Sequence, residues 1–139
     1  MTEQVFEKVL TSNDTGESGA HQAGMHVPKH QKELIAFLPA LDPSEKNPSV
    51  WLEALDDQGT AWRFRYIYYN NRLHDPSGTR DEYRITHMTR FLRSAGATAG
   101  DTLIVRGRPG TGELHVSVRL SYAEIVPARV QLKGWRRVH

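Results

Sequence analysis

Most apolar positions in this chain recur every second residue, which is the period of half-buried strands. The clearest run is Leu114, Val116, Val118 and Leu120, alternating with His115, Ser117 and Arg119. Ala61–Tyr69 shows the same alternation: Trp62, Phe64, Tyr66 and Tyr68 fall on one face, Arg63 and Arg65 on the other. That aromatic stripe is read as the core face of a sheet rather than a stacking platform. Val50–Leu55 is its hairpin partner across the turn Asp56-Asp57-Gln58-Gly59. Val5–Leu10 reads as a first strand, Met25–Val27 as a short strand end, Thr102–Arg106 as a strand, and Glu124–Val126 as a last one. Arg108-Pro109-Gly110-Thr111-Gly112 is a hairpin loop.

Helical spacing occurs twice. Pro28 suits a first helical turn, and Leu34, Ile35, Phe37 and Leu38 give that helix an apolar face ended by Pro39. Met88–Ala95 reads as a second short helix with Phe91 and Leu92 inward. Short strands with two short helices predict a mainly β, barrel-like fold. There is no repeat and no sign of a second domain, so residues 1–139 read as a single domain, with the basic stretch 131–139 as a linker to a further, catalytic domain.

Composition excludes several classes. The absence of cysteine excludes disulfides and thiolate metal sites. No apolar run reaches the ~20 residues of a membrane span. The start Met1-Thr2-Glu3-Gln4 lacks a signal-peptide pattern, so a cytoplasmic location is the expectation. The net charge is only +2, but the basic residues are clustered. Arg63, Arg65, Arg72, Arg80, Arg84, Arg90 and Arg93 face only Asp75, Asp81 and Glu82 between Trp62 and Arg93. Clustered arginine raises the expectation of nucleic acid as a partner.

Searches for catalytic chemistry return little. No Asp or Glu has a lysine two residues later, the spacing of common metal-dependent nucleases; Arg84 after Glu82 comes closest, and arginine is a poor proton carrier. His30-Gln31-Lys32 imitates a His-x-Lys nucleophile without the aspartate it needs. The seven histidines show no convincing ligand spacing. No cofactor or metal is expected. A small nuclease or hydrolase with an unrecognised site is the rival reading, and a protein–protein interaction domain the third.

The densest polar stretch is Tyr68–Thr86. Pro76, Ser77 and Gly78 form a turn, followed by Thr79-Arg80-Asp81-Glu82-Tyr83-Arg84. Arginine donates in bidentate fashion to guanine O6 and N7, and a carboxylate accepts from cytosine N4. Arg80 and Arg84 therefore suit guanine, and Glu82 suits cytosine or the orientation of the two arginines.

Two segments carry a family resemblance. Leu10-Thr11-Ser12-Asn13-Asp14-Thr15-Gly16-Glu17-Ser18-Gly19-Ala20-His21-Gln22-Ala23-Gly24-Met25-His26-Val27-Pro28, and Ile67-Tyr68-Tyr69-Asn70-Asn71-Arg72 with Thr79–Thr86, resemble two motifs of the N-terminal effector domain of the restriction endonuclease EcoRII. The resemblance covers Leu10–Arg90 well. It implies an open, seven-stranded DNA-binding pseudobarrel, the fold of plant B-three-type domains, with two arms that grip double-stranded DNA from the major groove. Such a module recognises CCWGG (W is A or T), carries no catalytic centre, and would act here as a monomer. The first arm maps to His21–His26, with His21, Gln22, Met25 and His26 as candidates. The second maps to Gly78–Arg84, with Thr79, Arg80, Asp81, Glu82, Tyr83 and Arg84. Arg72 matches a DNA-side arginine. Asn13, Thr15, Lys29, Tyr69, Asn70 and Asn71 are candidates for backbone positioning. Gly78, Tyr83 and His26 depart from the family, standing where it can have lysine, lysine and tyrosine.

Overall fold

The computed structural model describes residues 2–16, 24–121 and 134–139. Eight strands lie in one sheet among the described residues, in the order β2-β5-β4-β3-β7-β6-β1-β8. They are β1 (Gln4–Val9), β2 (Met25–Val27), β3 (Ser49–Leu55), β4 (Ala61–Tyr69), β5 (Glu82–Thr86), β6 (Thr102–Gly107), β7 (Glu113–Arg119) and β8 (Gly134–Val138). The pairings are antiparallel except β3 with β7, which run parallel. Four short helices join them: α1 (Ser12–Thr15), α2 (Lys32–Phe37), α3 (Asn71–His74) and α4 (Thr89–Ser94).

The core follows the predicted periods. Phe64, Tyr66 and Tyr68 of β4, Leu114 and Val116 of β7, and Phe91 and Leu92 of α4 are buried. The strongest hydrophobic positions thus set which sheet face turns inward.

Three features differ from the expectation. α1 lies in the stretch read as loop: Thr11 caps it, accepting from the Asp14 amide while Asp14 accepts from the Thr11 amide, a reciprocal capping box. α3 follows β4 where a strand end was expected. The third concerns the C-terminal stretch, in which Gly134–Val138 forms an eighth strand, paired with β1. Its Trp135 is buried and donates through Nε1 to the His26 carbonyl at 3.1 Å, while Gln31 Nε2 donates to the Trp135 carbonyl at 3.0 Å. These bonds tie the two outermost strands, β2 and β8, across the open side of the sheet, closing the pseudobarrel. The expected strand Glu124–Val126 lies outside the described residues.

Candidate nucleic-acid interface

Outward side chains of β2, β5 and β4 form the candidate surface. Directly paired residues project to the same face of a sheet. His26 is paired with Arg84, Arg84 with Ile67, and Glu82 with Tyr69. Glu82 is the hub: Oε1 accepts from Arg80 Nε at 3.0 Å and Nη2 at 2.8 Å, and Oε2 accepts from Arg84 Nη2 at 3.0 Å. Burial works to raise the Glu82 pKa, but the bonds from Arg84 and Arg80 outweigh it, and the carboxyl is held below the usual range. One negative charge between two arginines leaves a net positive cluster with fixed geometry.

Each arginine has a second support. The Arg80 guanidinium lies over the Tyr69 ring, 3.7 Å from its centroid, a cation–π stack. Arg84 Nη1 donates to the Gly24 carbonyl at 2.8 Å, joining β5 to the exit of the first arm. The Arg84 Nε–H is buried and has no acceptor among the described residues. His26 is exposed on β2 beside Arg84. Burial of the ring and the Arg84 charge both push its pKa below the usual histidine value, so His26 is neutral at pH 7.

The second arm is held from below by Asn71, whose Oδ1 accepts from the amides of Thr79 at 3.1 Å and Arg80 at 2.8 Å. The Arg72 amide donates to the Arg80 carbonyl at 3.0 Å. Gly78 packs so closely on this helix that a Cβ would sit 2.1 Å from the Asn71 carbonyl oxygen. Glycine here is a requirement of the loop path, which accounts for the missing lysine. At the other side of the arm Asp81 accepts from the Tyr68 hydroxyl and pairs with Lys29 at 2.6 Å. The Lys29 and Tyr68 bonds hold the Asp81 carboxyl below its usual value. Lys29 follows β2, so this pair links the second arm to the segment after β2.

Some candidates leave the surface. Met25 is in the core. Asn70 is fully buried and spends its polar atoms on the chain before β3, accepting from the Asn47 amide at 2.7 Å and donating to the Glu45 carbonyl at 2.8 Å. Thr15 is buried, with its hydroxyl directed at the Thr11 and Ser12 carbonyls. Tyr83 points to the inner face and stacks on Tyr68 with ring centroids 4.3 Å apart. An aromatic fits that slot and a lysine would not. Arg72 and Thr79 are exposed, as is Asn13 on α1. His21 and Gln22 lie outside the described residues.

Lys8 and Asp14 form an ion pair that fastens α1, at the root of the first arm, to β1; both side chains are nearly buried. Neither was singled out in the sequence, where only the Thr11/Asp14 capping spacing offered a signal.

The nearly closed eight-stranded sheet is a pseudobarrel of the B-three type. Residues 2–104 match the family model "Restriction endonuclease EcoRII, N-terminal". The chain belongs to this EcoRII N-terminal family. Auxin response factor 12 of Arabidopsis thaliana is 39% identical over 116 residues, covering 82% of this chain and 17% of its own length. Auxin response factor 8 of Oryza sativa subsp. japonica is 33% identical over 115 residues, covering 82% of this chain and 15% of its own. The chain thus spans about a sixth of the length of these curated relatives. The chain in the structure titled "Arabidopsis FUS3-DNA complex" shares the fold, with a TM-score of 0.62 over 86% of this chain and 99% of that one at 22% identity. No helix among the described residues is long and apolar enough to cross a membrane.

Proposed function

We propose that this chain is a sequence-specific double-stranded DNA-binding domain, non-catalytic by itself and acting as a monomer, that grips the major groove between two arms. The observation that carries this reading is the Glu82 cluster: Arg80 and Arg84 held side by side by one carboxylate, on the outward face of the second arm. Bidentate donors on a rigid strand are what guanine edges require. Because both Glu82 oxygens already accept from arginine, Glu82 orients the readers rather than reading cytosine.

The finer reading is an effector or specificity domain of a type II restriction endonuclease that recognises a CCWGG-like site and works in the cytoplasm. Membership of the EcoRII N-terminal family supports it. The relatives named auxin response factors support the same binding class with a different parent, a regulator of transcription. Selection from a randomised duplex pool, followed by a gel-shift competition without metal at near-physiological salt, tests both levels. Enrichment of CCWGG, competed by the same duplex and not by a scrambled one, is the expected result. Enrichment of another sequence would keep the DNA-binding reading and remove the restriction-enzyme parent. Equal competition by cognate and scrambled duplex would overturn sequence reading altogether.

A further inference from the structure

The outward sheet face continues beyond the arms, and it stays basic. Along β4 the outward positions after Tyr69 and Ile67 are Arg65 and Arg63. Arg65 is paired with Thr86 of β5 on one side and with Trp51 of β3 on the other, and Arg63 is paired with Glu53. Trp51 is 41% exposed. The Arg63 guanidinium lies 4.8 Å from its ring centroid, and His87 meets its edge at 5.1 Å. Beside them a groove of about 520 Å³ is lined by Arg63, His87 and Arg90 among others.

Several arginines elsewhere on the barrel have acidic partners. Arg119 and Arg136 share Glu7, Arg137 takes Glu33, and Arg106 reaches Glu3. On the β3–β4 face Glu53 neutralises Arg63. Arg65 bonds the Ser49 hydroxyl at 2.9 Å, and neither it nor Arg90 has an ion pair among the described residues. From Tyr69 to Arg63 the strand runs six residues, about 20 Å at ~3.3 Å per residue. That equals about six base-pair steps at ~3.4 Å of rise along the DNA axis.

We infer that the face formed by Arg63, Arg65 and Trp51, with His87 and Arg90, is a second nucleic-acid contact surface, which takes phosphates of the duplex flanking the bases read by the arms. The inference rests on the DNA-binding reading above. Its physical basis is continuity with Arg84 and Thr86 on one sheet face, two cations, Arg65 and Arg90, without acidic partners among the described residues, and an exposed indole able to pack against sugar. A polyanion of regular spacing fits this row better than a single small anion does.

The test compares two duplexes that share the core enriched in the selection above, one with only the few flanking base pairs that keep it double-stranded and one extended by a helical turn on each side. Affinity is read by fluorescence anisotropy across a salt series, for the wild type and for Arg65→Gln/Arg90→Gln. The wild type is expected to bind the longer duplex more tightly, with a steeper salt dependence. The double variant is expected to lose that advantage, its log–log slope falling by about 1.8 for two phosphates at ~0.9 each. Its affinity for the short duplex and its base preference stay unchanged. Arg90→Glu alone, on an exposed helix position, should weaken long-duplex binding further and covers the case in which the double variant unfolds. Equal binding of both lengths by the wild type, or a full length advantage in a folded variant, would overturn the second surface while leaving the arms intact. Failure of the wild type to bind either duplex would instead overturn the DNA-binding reading, and this inference with it.

Discussion

Two carboxylates in this protein each sit between two arginines, with different consequences. Glu7 of β1 is bonded by Arg119 at 3.1 Å and Arg136 at 2.8 Å. Those partners lie 112 and 129 residues away in sequence. Glu82 is bonded by Arg80 and Arg84, each two residues away. The first cluster closes long loops, so its bonds are made only when the barrel is folded. The second is local, and its members stay near one another in the unfolded chain. Glu82 therefore adds little to fold stability and a good deal to geometry. Glu7 does the reverse, for the arginines it holds belong to the scaffold. Chemical composition is the same in both triads; connectivity decides what each is for.

Gly78→Val should break the site side of the comparison most severely. The new side chain collides with Asn71 backbone, so the arm must leave its path and carry Arg80 with it. Specific binding by anisotropy should be lost, while the barrel's thermal unfolding changes little. Full retention of specific affinity would mean that the loop path does not position the readers. Next in size, Arg84→Ala should cost about 1–3 kcal/mol in affinity for the selected duplex and relax selectivity at one base pair. An equal loss on random DNA would contradict base reading by this arginine.

Exchanging the two hubs sharpens the contrast. Glu7→Gln should lower the denaturant midpoint, by about 1 kcal/mol because the two arginines are largely solvated, and leave DNA affinity unchanged. Glu82→Gln should leave stability within about 0.5 kcal/mol and reduce base selectivity instead, since the arginines lose their common anchor. If both substitutions move stability equally, connectivity is not the deciding variable.

The smallest effect is in the acid limb of stability. Burial tends to raise the Glu7 pKa, but the bonds from Arg119 and Arg136 outweigh it, so its folded value lies below the ordinary 4.5. A depressed carboxyl contributes stability that is present above its unfolded value and lost as pH falls through the folded one. Stability should decline below about pH 4.5 in the wild type and less steeply in Glu7→Gln, followed by urea titration. A parallel decline in both proteins would show that the Glu7 pairs do not set it.

Much of the scaffold was legible because strand alternation is a local property. The stripe Trp62, Phe64, Tyr66 and Tyr68 and the run Leu114, Val116 and Val118 named their inner faces correctly, whereas Leu120 lies beyond β7 and is exposed. Glu82 and Arg84 were legible as a pair for the same reason, since residues two apart on a strand share a face, and Arg80 lies just before that strand. Within the site the misreadings were Asn70, Met25, Thr15 and Tyr83. Each is polar or adaptable enough to suit a DNA surface; Thr15 is instead held by its own helical turn, and the others are turned inward by partners more distant in sequence. For Asn70 those partners are Asn47 and Glu45, and for Tyr83 they are Tyr66 and Tyr68.

By itself the sequence determined the strand periods, the aromatic core face, the arginine-rich arm and, through its two motifs, the family. Tertiary structure alone decided three things. It turned Gly134–Val138 into an eighth strand and closed the barrel through Trp135 and His26. It placed Arg65 beside Trp51 and Thr86, extending the basic face beyond the arms. It also set Gly78 against Asn71, where no side chain fits. The first two depend on the register and approach of segments far apart along the chain and the third on the folded path of one loop, whereas alternation depends only on the next two residues.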